Sequence, residues 1–328
     1  MSLSTQLPKL FVIRPIPPTV MARLRRRCQV TVHESDQAPT RQEYLDAVRG
    51  VDAFFILPFV KVDKELLDAA GPQLKVIGTF SVGVEHIDID LCKERGVKVA
   101  NTPGVVTTAT AEHAMSLILA AACRLREGIQ GVNDGLWGNK WESGLWLAGA
   151  EIAGSVIGMV GLGRIGLAIA KRLAAFEVSK ILYTARNPRP ESADPIGAEY
   201  VTFNDLLEQS DFVVIACSAN DSNKGLFNAE AFKRMKKTSI LVNIARGTIV
   251  DQDALYEALK TGEIGAAGLD VTTPEPLPPS DPLLGLPNCI VTPHIASCTV
   301  TTHTAMCDLV ADNIFAALEG KPLKTPLY

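Results

Sequence analysis

The sequence predicts an α/β protein with two domains, each built on a doubly wound parallel sheet. Short apolar strands alternate with amphipathic helical segments along most of the chain, which is typical of parallel sheets with helices on both faces. The strands are almost continuously apolar, as expected when both faces of a sheet are covered. The chain has 328 residues, more than a single core usually serves, so we expect two domains.

The first part of the chain contains β-branched runs that predict five strands, at residues 9–14, 29–33, 51–58, 74–80 and 97–103. Helical patterns fill the gaps, as at residues 17–28, 62–70 and 86–96. A long helix is predicted from Thr107 to about Arg126. The stretch GLWGNKWESGLW that follows has no clear period and separates the two predicted sheets.

The second part of the chain restarts the alternation and predicts six more strands, in the runs SVIGMVG, SKILYT, DFVVIAC, SILVNIA, GAAGLDV and NCIVTPH. The stretch TPEPLPPSDP lies between the last two of these runs. It is interpreted as a loop, because proline restricts the backbone and cannot donate to a sheet. A final helix is predicted at residues 302–318.

Composition excludes several classes of function. The net charge is −4 and 21% of the residues are charged, so no basic surface for nucleic acid or a membrane is expected. The longest apolar helical stretch, residues 114–125, is shorter than the roughly 20 residues that span a bilayer. The N-terminal residues lack the pattern of a signal peptide, and seven cysteines without a CxxC pair indicate a reducing compartment. We therefore expect a soluble, cytoplasmic protein.

The run GMVGLGRIGLAIAKRL places Gly161, Gly163 and Gly166 directly after a predicted strand and at the start of a predicted helix. In dinucleotide-binding loops, the first glycine permits a tight turn and the second lets the backbone approach the pyrophosphate. The third permits close packing of helix on sheet. Backbone N–H groups at the start of the helix then receive the phosphates. This context predicts dinucleotide binding.

The end of the next predicted strand, in the run ILYTARNPRP, carries no acidic residue. NAD-binding folds usually place Asp or Glu there to hold the ribose hydroxyls, whereas an arginine can pair with the 2′-phosphate of NADP. Arg186 stands at this position, with Arg189 nearby. We therefore predict NADP(H) as the preferred cofactor. A solvent-facing basic turn, which would leave NAD(H) equally acceptable, is the alternative.

Three ionisable residues stand at the carboxyl ends of predicted strands, where ligands of such sheets bind: Arg246, Asp270 and His294. Reduction of a 2-keto acid needs a cation to hold the carboxylate and a group that titrates near neutral pH to protonate the new alcohol. A carboxylate beside that group would favour its protonated form. Arg246, His294 and Glu275 fit these roles in turn. For Asp270, a helix or loop cap is at least as good an interpretation as a chemical role.

The five histidines do not indicate a metal site. No pair of them has metal-ligand spacing supported by other ligands, so no metal is predicted. His86, His113 and His303 are interpreted as structural or surface residues.

Four motifs, GLGRIG, NIARGTIVDQDAL, GLDVTTPEPLP and VTPHIAS, resemble in order and spacing the signatures of the D-isomer-specific 2-hydroxyacid dehydrogenases. The resemblance includes LKVIGTFSVGVEHID and GVKVANTPGVVTTATAEHAMSLIL and covers nearly the whole chain. Within the family, LYTARNPRP, ACSAN and LWLAG are most similar to the animal enzymes that reduce glyoxylate and hydroxypyruvate. The resemblance implies reduction of hydroxypyruvate to D-glycerate and of glyoxylate to glycolate, with hydride from the nicotinamide and a proton from His294.

The resemblance also implies the residues of the site. The catalytic set is Arg246, Glu275 and His294, with Asp270 tuning it. The expected substrate contacts are Val82, Gly83, Arg246, His294 and Trp141. The expected cofactor contacts are Gly161, Leu162, Gly163, Arg164, Ile165, Arg186, Asn187, Ser218, Ile244, Asp270 and His294.

The domain organisation implied by the resemblance is discontinuous. A flavodoxin-like substrate-binding domain comprises residues 1–104 and 298–328, and a Rossmann cofactor domain is inserted at residues 105–297. Family members are commonly dimers joined through the cofactor domain, so a homodimer is expected. Trp141 then either lines the active site of the partner or packs in the dimer core.

Two alternatives keep this fold. One is a dehydrogenase of another 2-hydroxy acid, such as 3-phosphoglycerate. The other is a binding protein similar to the corepressors that use the dinucleotide as a sensor. Turnover of keto acids separates a sensor from an enzyme, because a sensor binds the cofactor and reduces keto acids poorly.

Overall fold

The structure is a computed structural model that describes residues 6–35, 37, 39–140 and 142–328. The chain divides into two compact units. The first comprises Met1–Val106 and Cys298–Tyr328, and the second comprises Thr107–Ser297. The first unit is thus assembled from both ends of the chain. In the described part of the chain, no helix is long and apolar enough to cross a membrane.

The first unit contains a sheet of five parallel strands. They are β1 (Lys9–Val12), β2 (Gln29–Val32), β3 (Ala53–Ile56), β4 (Val76–Thr79) and β5 (Lys98–Ala100). Its helices are α1 (Pro18–Arg25), α2 (Arg41–Ala47), α3 (Lys64–Ala70), α4 (Ile89–Glu94) and the C-terminal helix Val300–Leu318. The strand order β2-β1-β3-β4-β5 is that of flavodoxin-like folds.

The second unit contains a sheet of seven parallel strands. They are β6 (Val156–Val160), β7 (Lys180–Thr184), β8 (Glu199–Tyr200), β9 (Phe212–Ile215), β10 (Ile240–Asn243), β11 (Ala266–Leu269) and β12 (Cys289–Val291). Its helices are α5 (Thr107–Ala122), α6 (Leu125–Asn133), α7 (Trp137–Lys140), α8 (Arg164–Ala174), α9 (Pro190–Ala193), α10 (Phe203–Gln209), α11 (Ala229–Arg234) and α12 (Gln252–Thr261). Its 3₁₀ turns are Asp194–Ile196, Asp221–Asn223, Gly247–Ile249 and Pro282–Gly285.

The strand order of the second sheet, β12-β11-β10-β9-β6-β7-β8, reverses between β6 and β9. This reversal defines a doubly wound sheet and creates a crevice at the carboxyl ends of the two strands. The prediction of two doubly wound parallel sheets is confirmed.

Both faces of the second sheet are covered by helices. Phe212 and Val214 of β9 belong to the core cluster that contains α5 and α8 residues. Val213 and Ile215, the alternate residues, belong to the cluster that contains residues of α10, α11 and α12. The strand is therefore apolar at every position, because successive side chains enter opposite cores.

The C-terminal helix completes the core of the first unit. Val310 and Ile314 are buried and pack in one cluster with Leu10 and Val12 of β1. Gly78 of β4 lies beneath this helix, and a Cβ atom there would be 2.6 Å from Val310 Cγ1. Glycine at this position lets the helix lie close to the sheet.

The structure corrects the prediction at one helix boundary and adds one strand. The helix predicted from Thr107 to about Arg126 ends at Ala122, and α6 begins at Leu125. The break lies at Arg124, whose φ of 52° is left-handed. The second sheet also has seven strands where six were predicted. The missed strand, β8, has only two residues, both exposed, and so carries no apolar signal.

Candidate active site

The glycine loop joins β6 to α8 at the reversal point of the second sheet. Gly161 has a φ of 101°, and a Cβ atom there would be 2.8 Å from Cys217. Its N–H donates to the carbonyl of Thr184 at the end of β7 at 2.9 Å. A Cβ atom on Gly166 would collide with the backbone carbonyl of Gly161. The conformation and packing of the loop therefore require both glycines.

Gly163 differs from the other two glycines, because a Cβ atom there would meet no atom of the described residues within 4 Å. Gly163 is exposed and is the N-cap of α8, whose first turn receives no side-chain cap. Uncapped N–H groups at a helix N-terminus bind phosphate groups. The open space beside this backbone fits the pyrophosphate of a dinucleotide, with Leu162, Arg164 and Ile165 in the same turn.

The remaining predicted cofactor contacts follow neighbouring strands of this sheet. Arg186 and Asn187 are exposed and follow β7, which pairs with β6. Ser218 is exposed and follows β9, and its carbonyl accepts from Asn223 Nδ2 at 2.9 Å. Ile244 is buried and follows β10. All four lie at the carboxyl edge of the sheet, where ligands of such folds bind.

His294 and Glu275 form a hydrogen-bonded pair, in which His294 Nδ1 is 2.9 Å from Glu275 Oε2. The other carboxylate oxygen, Oε1, accepts from the N–H of Thr272 at 3.0 Å. Because a carboxylate only accepts, Nδ1 carries a proton, and Nε2 is the nitrogen that gains or loses one. The backbone of His294 has a φ of 53°, a conformation that histidine adopts more readily than most residues.

The pair changes the titration of both side chains. The hydrogen bond with Glu275 raises the pKa of His294 above its ordinary value of 6.5, and outweighs partial burial and the charge of Arg246. Burial acts to raise the pKa of Glu275, but the hydrogen bonds from His294 and from the N–H of Thr272 leave it below its ordinary value. The arrangement favours an imidazolium paired with a carboxylate.

Arg246 follows β10 and is held through its backbone. Nδ2 of the buried Asn243 donates to the carbonyl of Arg246 at 3.0 Å, and Asn243 Oδ1 accepts from the N–H of Ala245 at 3.0 Å. A Cβ atom on the next residue, Gly247, would collide with the carbonyl of Thr272. The loops after β10 and β11 are therefore in direct contact, and the charge of Arg246 acts on both members of the histidine–carboxylate pair.

Asp270 is buried, with 1% of its surface exposed, and holds the loop that carries His294. Its carboxylate accepts from the N–H of Ile295 at 2.9 Å and from the N–H of Ala296 at 2.8 Å. Its carbonyl accepts from the N–H of His294 at 2.9 Å. The geometry is that of a loop cap, one of the two interpretations that the sequence allowed.

His113 is a residue of this site to which the sequence analysis gave no role. It lies on α5, and its Nε2 is 3.0 Å from Thr292 Oγ1 and 3.2 Å from Asp270 Oδ1. Thr292 donates from its hydroxyl to the same Asp270 oxygen at 2.7 Å. Burial acts to raise the pKa of Asp270, but these bonds and those from the loop N–H groups leave it below its ordinary value. The run TAEHAMSL contains other polar residues as well, so nothing in the sequence marked His113 as part of the site.

Val82 and Gly83, the predicted substrate contacts of the first unit, lie in the loop after β4. Val82 is 41% exposed. The carbonyl of Val82 accepts from Asn101 Nδ2 and the carbonyl of Gly83 from Ser81 Oγ, each at 2.7 Å. Trp141, the other predicted contact, lies outside the described residues.

The second unit thus combines a phosphate-binding glycine loop with an arginine and a histidine–carboxylate pair at the same edge of one sheet. The loop fits a dinucleotide, and the pair can deliver a proton. These are the parts of a nicotinamide-dependent oxidoreductase.

Comparison with known proteins identifies the family. Residues 115–296 match the family described as "D-isomer specific 2-hydroxyacid dehydrogenase, NAD binding domain". The chain belongs to the D-isomer-specific 2-hydroxyacid dehydrogenases, and its second unit contains the NAD-binding domain of that family.

Three similar proteins support this assignment over the whole chain. A human glyoxylate reductase/hydroxypyruvate reductase is 47% identical over 324 residues, 98% of either chain. The crystal structure of a protein from Thermus thermophilus has a TM-score of 0.90 and 39% identity, covering 98% of this chain and all of that one (100%). An NADPH-dependent glyoxylate/hydroxypyruvate reductase from Sinorhizobium meliloti, in complex with NADP and malonate, has a TM-score of 0.83 and 33% identity, covering 98% of this chain and 96% of that one.

Proposed function

We propose that this protein reduces hydroxypyruvate to D-glycerate and glyoxylate to glycolate, with NADPH preferred over NADH. The observation that carries the proposal is the His294–Glu275 hydrogen bond, which lies beside Arg246 at the edge of a dinucleotide-binding sheet. The human relative, which matches nearly the whole chain, bears both activities in its name.

The nicotinamide, when bound, supplies a hydride to the keto carbon of the substrate. Arg246 holds the substrate carboxylate and polarises the keto group. His294 donates its Nε2 proton to the carbonyl oxygen, so that hydride and proton together convert the C2 carbonyl group into a hydroxyl. Glu275 stabilises the imidazolium before transfer, and Nδ1 keeps its proton afterwards. The N–H groups of Val82 and Gly83 are the proposed second anchor of the carboxylate.

The preference for NADPH rests on the turn after β7. Arg186 is exposed there and no acidic side chain stands at the strand end. The N–H of Arg189 donates to Tyr183 Oη at 2.9 Å, which holds this basic turn against the sheet. A guanidinium so placed can pair with a 2′-phosphate, and the Sinorhizobium relative is NADPH-dependent.

Initial rates of NADPH and NADH oxidation with glyoxylate and with hydroxypyruvate test this proposal. We expect turnover of both acids with NADPH preferred, and we expect Arg186→Ala to remove most of that preference. Tight cofactor binding without turnover of either acid would instead favour a sensor. Turnover of 3-phosphohydroxypyruvate alone would favour the other dehydrogenase.

His294→Asn tests the proton donor. Asparagine accepts the left-handed backbone at this position, so the loop keeps its conformation while the imidazole is lost. We expect kcat to fall by about 10³-fold, far more than any change in the Kd for NADPH. Full activity in this variant would exclude His294 as the proton donor.

We also propose a homodimer joined through the second unit. Leu125, Ile129 and Val132 of α6 are 50%, 62% and 54% exposed and lie on one face of the helix. Trp137, in the following segment, is 53% exposed. A continuous apolar surface of this kind is typical of an interface. Ile129→Glu should yield monomers in sedimentation experiments, and an unchanged dimer would exclude this surface.

The proposed location is the cytoplasm. All seven cysteines are free, and four of them are buried. Thiols persist in this state in reducing compartments. Fluorescence microscopy of the tagged full-length protein would test the location.

A further inference from the structure

The loop after β4 has three successive carbonyl groups that are held by hydrogen bonds. The carbonyl of Ser81 accepts from the N–H and the hydroxyl of Thr102, at 2.8 and 3.0 Å. The carbonyls of Val82 and Gly83 accept from Asn101 Nδ2 and Ser81 Oγ. The donor residues Ser81, Asn101 and Thr102 are all buried. Hydrogen bonds from these buried residues therefore fix the orientation of the three peptide planes.

These bonds decide where the N–H groups point. In a trans peptide, the carbonyl and the next N–H point in opposite directions. The carbonyls of Ser81, Val82 and Gly83 point toward their buried donors. The N–H groups of the same three peptides, those of Val82, Gly83 and Val84, therefore point in the opposite direction. Within the described part of the chain, none of the three donates a hydrogen bond. Successive N–H groups of this kind form a concavity that binds anions.

Ser81 is itself oriented by a chain of side chains. Its oxygen is 2.8 Å from Thr79 Oγ1, which is 3.0 Å from His86 Nε2. Since the Ser81 hydroxyl donates to Gly83, Thr79 donates to Ser81, and His86 donates from Nε2 to Thr79. These hydrogen bonds thus all point the same way, from His86 through Thr79 and Ser81 to the carbonyl of Gly83.

Asn101 is held by the C-terminal segment. Thr325 Oγ1 donates to the carbonyl of Asn101 at 2.7 Å. Thr325 in turn is fixed by the buried Asn313, which donates to its hydroxyl at 2.9 Å and accepts from its N–H at 3.1 Å. The next residue, Pro326, pairs with Ala100 at the end of β5 in an antiparallel bridge.

We propose that Asn101, Ser81 and Thr325 are positioning residues for the substrate carboxylate. They hold the loop so that the N–H groups of Val82 and Gly83 meet the anion. Without the Asn101 amide, the carbonyl of Val82 loses its partner, and rotation of that peptide withdraws the N–H of Gly83. This inference rests on the proposed function, which assigns the carboxylate of a 2-keto acid to these two N–H groups.

The test compares glyoxylate with ethyl glyoxylate, which has the same carbonyl but no carboxylate charge. For Asn101→Ala we expect the KM for glyoxylate to rise about tenfold, with kcat and the KM for NADPH nearly unchanged. The KM for the ester should stay the same, so the preference for the acid falls about tenfold. Thr325→Val should lower that preference about threefold, and Thr325→Ser, which keeps the hydroxyl, should restore it.

Two matched controls come from the second unit. Asn288 also donates from Nδ2 to backbone carbonyls, those of Leu259 and Gly265, at 3.3 and 3.0 Å. The Thr261 hydroxyl donates to the carbonyl of Glu257 at 2.7 Å. Asn288→Ala and Thr261→Val should leave the acid-to-ester ratio unchanged.

The outcomes separate this inference from the proposed function. Equal loss of acid and ester turnover in Asn101→Ala, or an unchanged ratio, would overturn the positioning role while the wild-type activity stands. Absence of wild-type turnover would overturn the proposed function. The positioning role is then tested by calorimetric binding of oxamate in the presence of NADPH. Asn101→Ala should bind oxamate about tenfold more weakly than the wild type. Equal affinity of the two proteins would contradict the positioning role.

Discussion

The loops at residues 81–84 and 161–166 present backbone N–H groups at the carboxyl ends of parallel strands by opposite means. The loop of the second unit has glycine at three of its six positions, and the conformation and close packing of Gly161 and Gly166 keep its backbone in place. The loop of the first unit keeps its side chains and is held by donors such as Asn101 and Thr102. Backbone groups can thus be aimed at an anion either by close packing or by hydrogen bonds.

Gly166→Ala should disturb the glycine loop more than any other substitution considered for the two loops. The new Cβ atom overlaps the carbonyl of Gly161, and neither backbone can move without disturbing the sheet. We expect a loss of about 3 kcal/mol in the free energy of unfolding, measured by urea titration. Gly163→Ala is the matched control, since open space surrounds that position, and its stability should change by less than about 0.5 kcal/mol. Equal stability of the two variants would contradict the packing argument.

Neither loop contains a group that titrates near neutrality. The pH dependence of the reaction rate is therefore expected to come from His294 and its partner Glu275. The protonated form of His294 donates the proton, so the rate of reduction falls as the pH rises through its pKa, which lies above 6.5. Oxidation of the hydroxy acid needs the neutral form and rises over the same range. Glu275→Gln removes the partner that raises this pKa, so reduction at pH 8 should fall about tenfold more than at pH 6. Parallel pH–rate profiles of the variant and the wild type would show that the His294–Glu275 pair does not set the pH dependence of reduction.

Gly163→Ala should also weaken cofactor binding. A methyl group there occupies the space through which the backbone approaches the pyrophosphate. The Kd for NADPH should rise about tenfold, while the KM for glyoxylate, extrapolated to saturating cofactor, stays constant. Fluorescence titration of NADPH measures the first quantity. Unchanged affinity would mean that the phosphates bind elsewhere.

The smallest effect is expected from Ser81→Ala in the other loop. Ser81 holds only the carbonyl of Gly83, and Val82 remains fixed by Asn101. The KM for glyoxylate should rise about threefold without a change in the Kd for NADPH. A larger change in the Kd for NADPH than in the KM for glyoxylate would show that the two loops do not act independently.

The sequence predicted those features that depend on residues close together in the chain. Apolar runs identified eleven of the twelve strands in the described part of the chain, and the glycine spacing identified the phosphate loop. The contacts that position the site were hidden because their partners are distant in sequence. His113 meets Thr292 over 179 positions, and Thr325 meets Asn101 over 224. No local pattern marks such pairs, and the two-residue strand β8 had no apolar pattern to detect.

The assembly of the first unit from both chain ends has a consequence for its synthesis. The buried cluster around Leu10 and Val12 of β1 is completed by Val310 and Ile314 of the C-terminal helix. During translation, every residue of the second unit therefore leaves the ribosome before the helix that packs on β1 has emerged. Domains generally fold as units during synthesis, so the inserted unit should acquire its structure first. Until that helix emerges, part of the apolar face of the nascent N-terminal segment stays uncovered and can bind a chaperone.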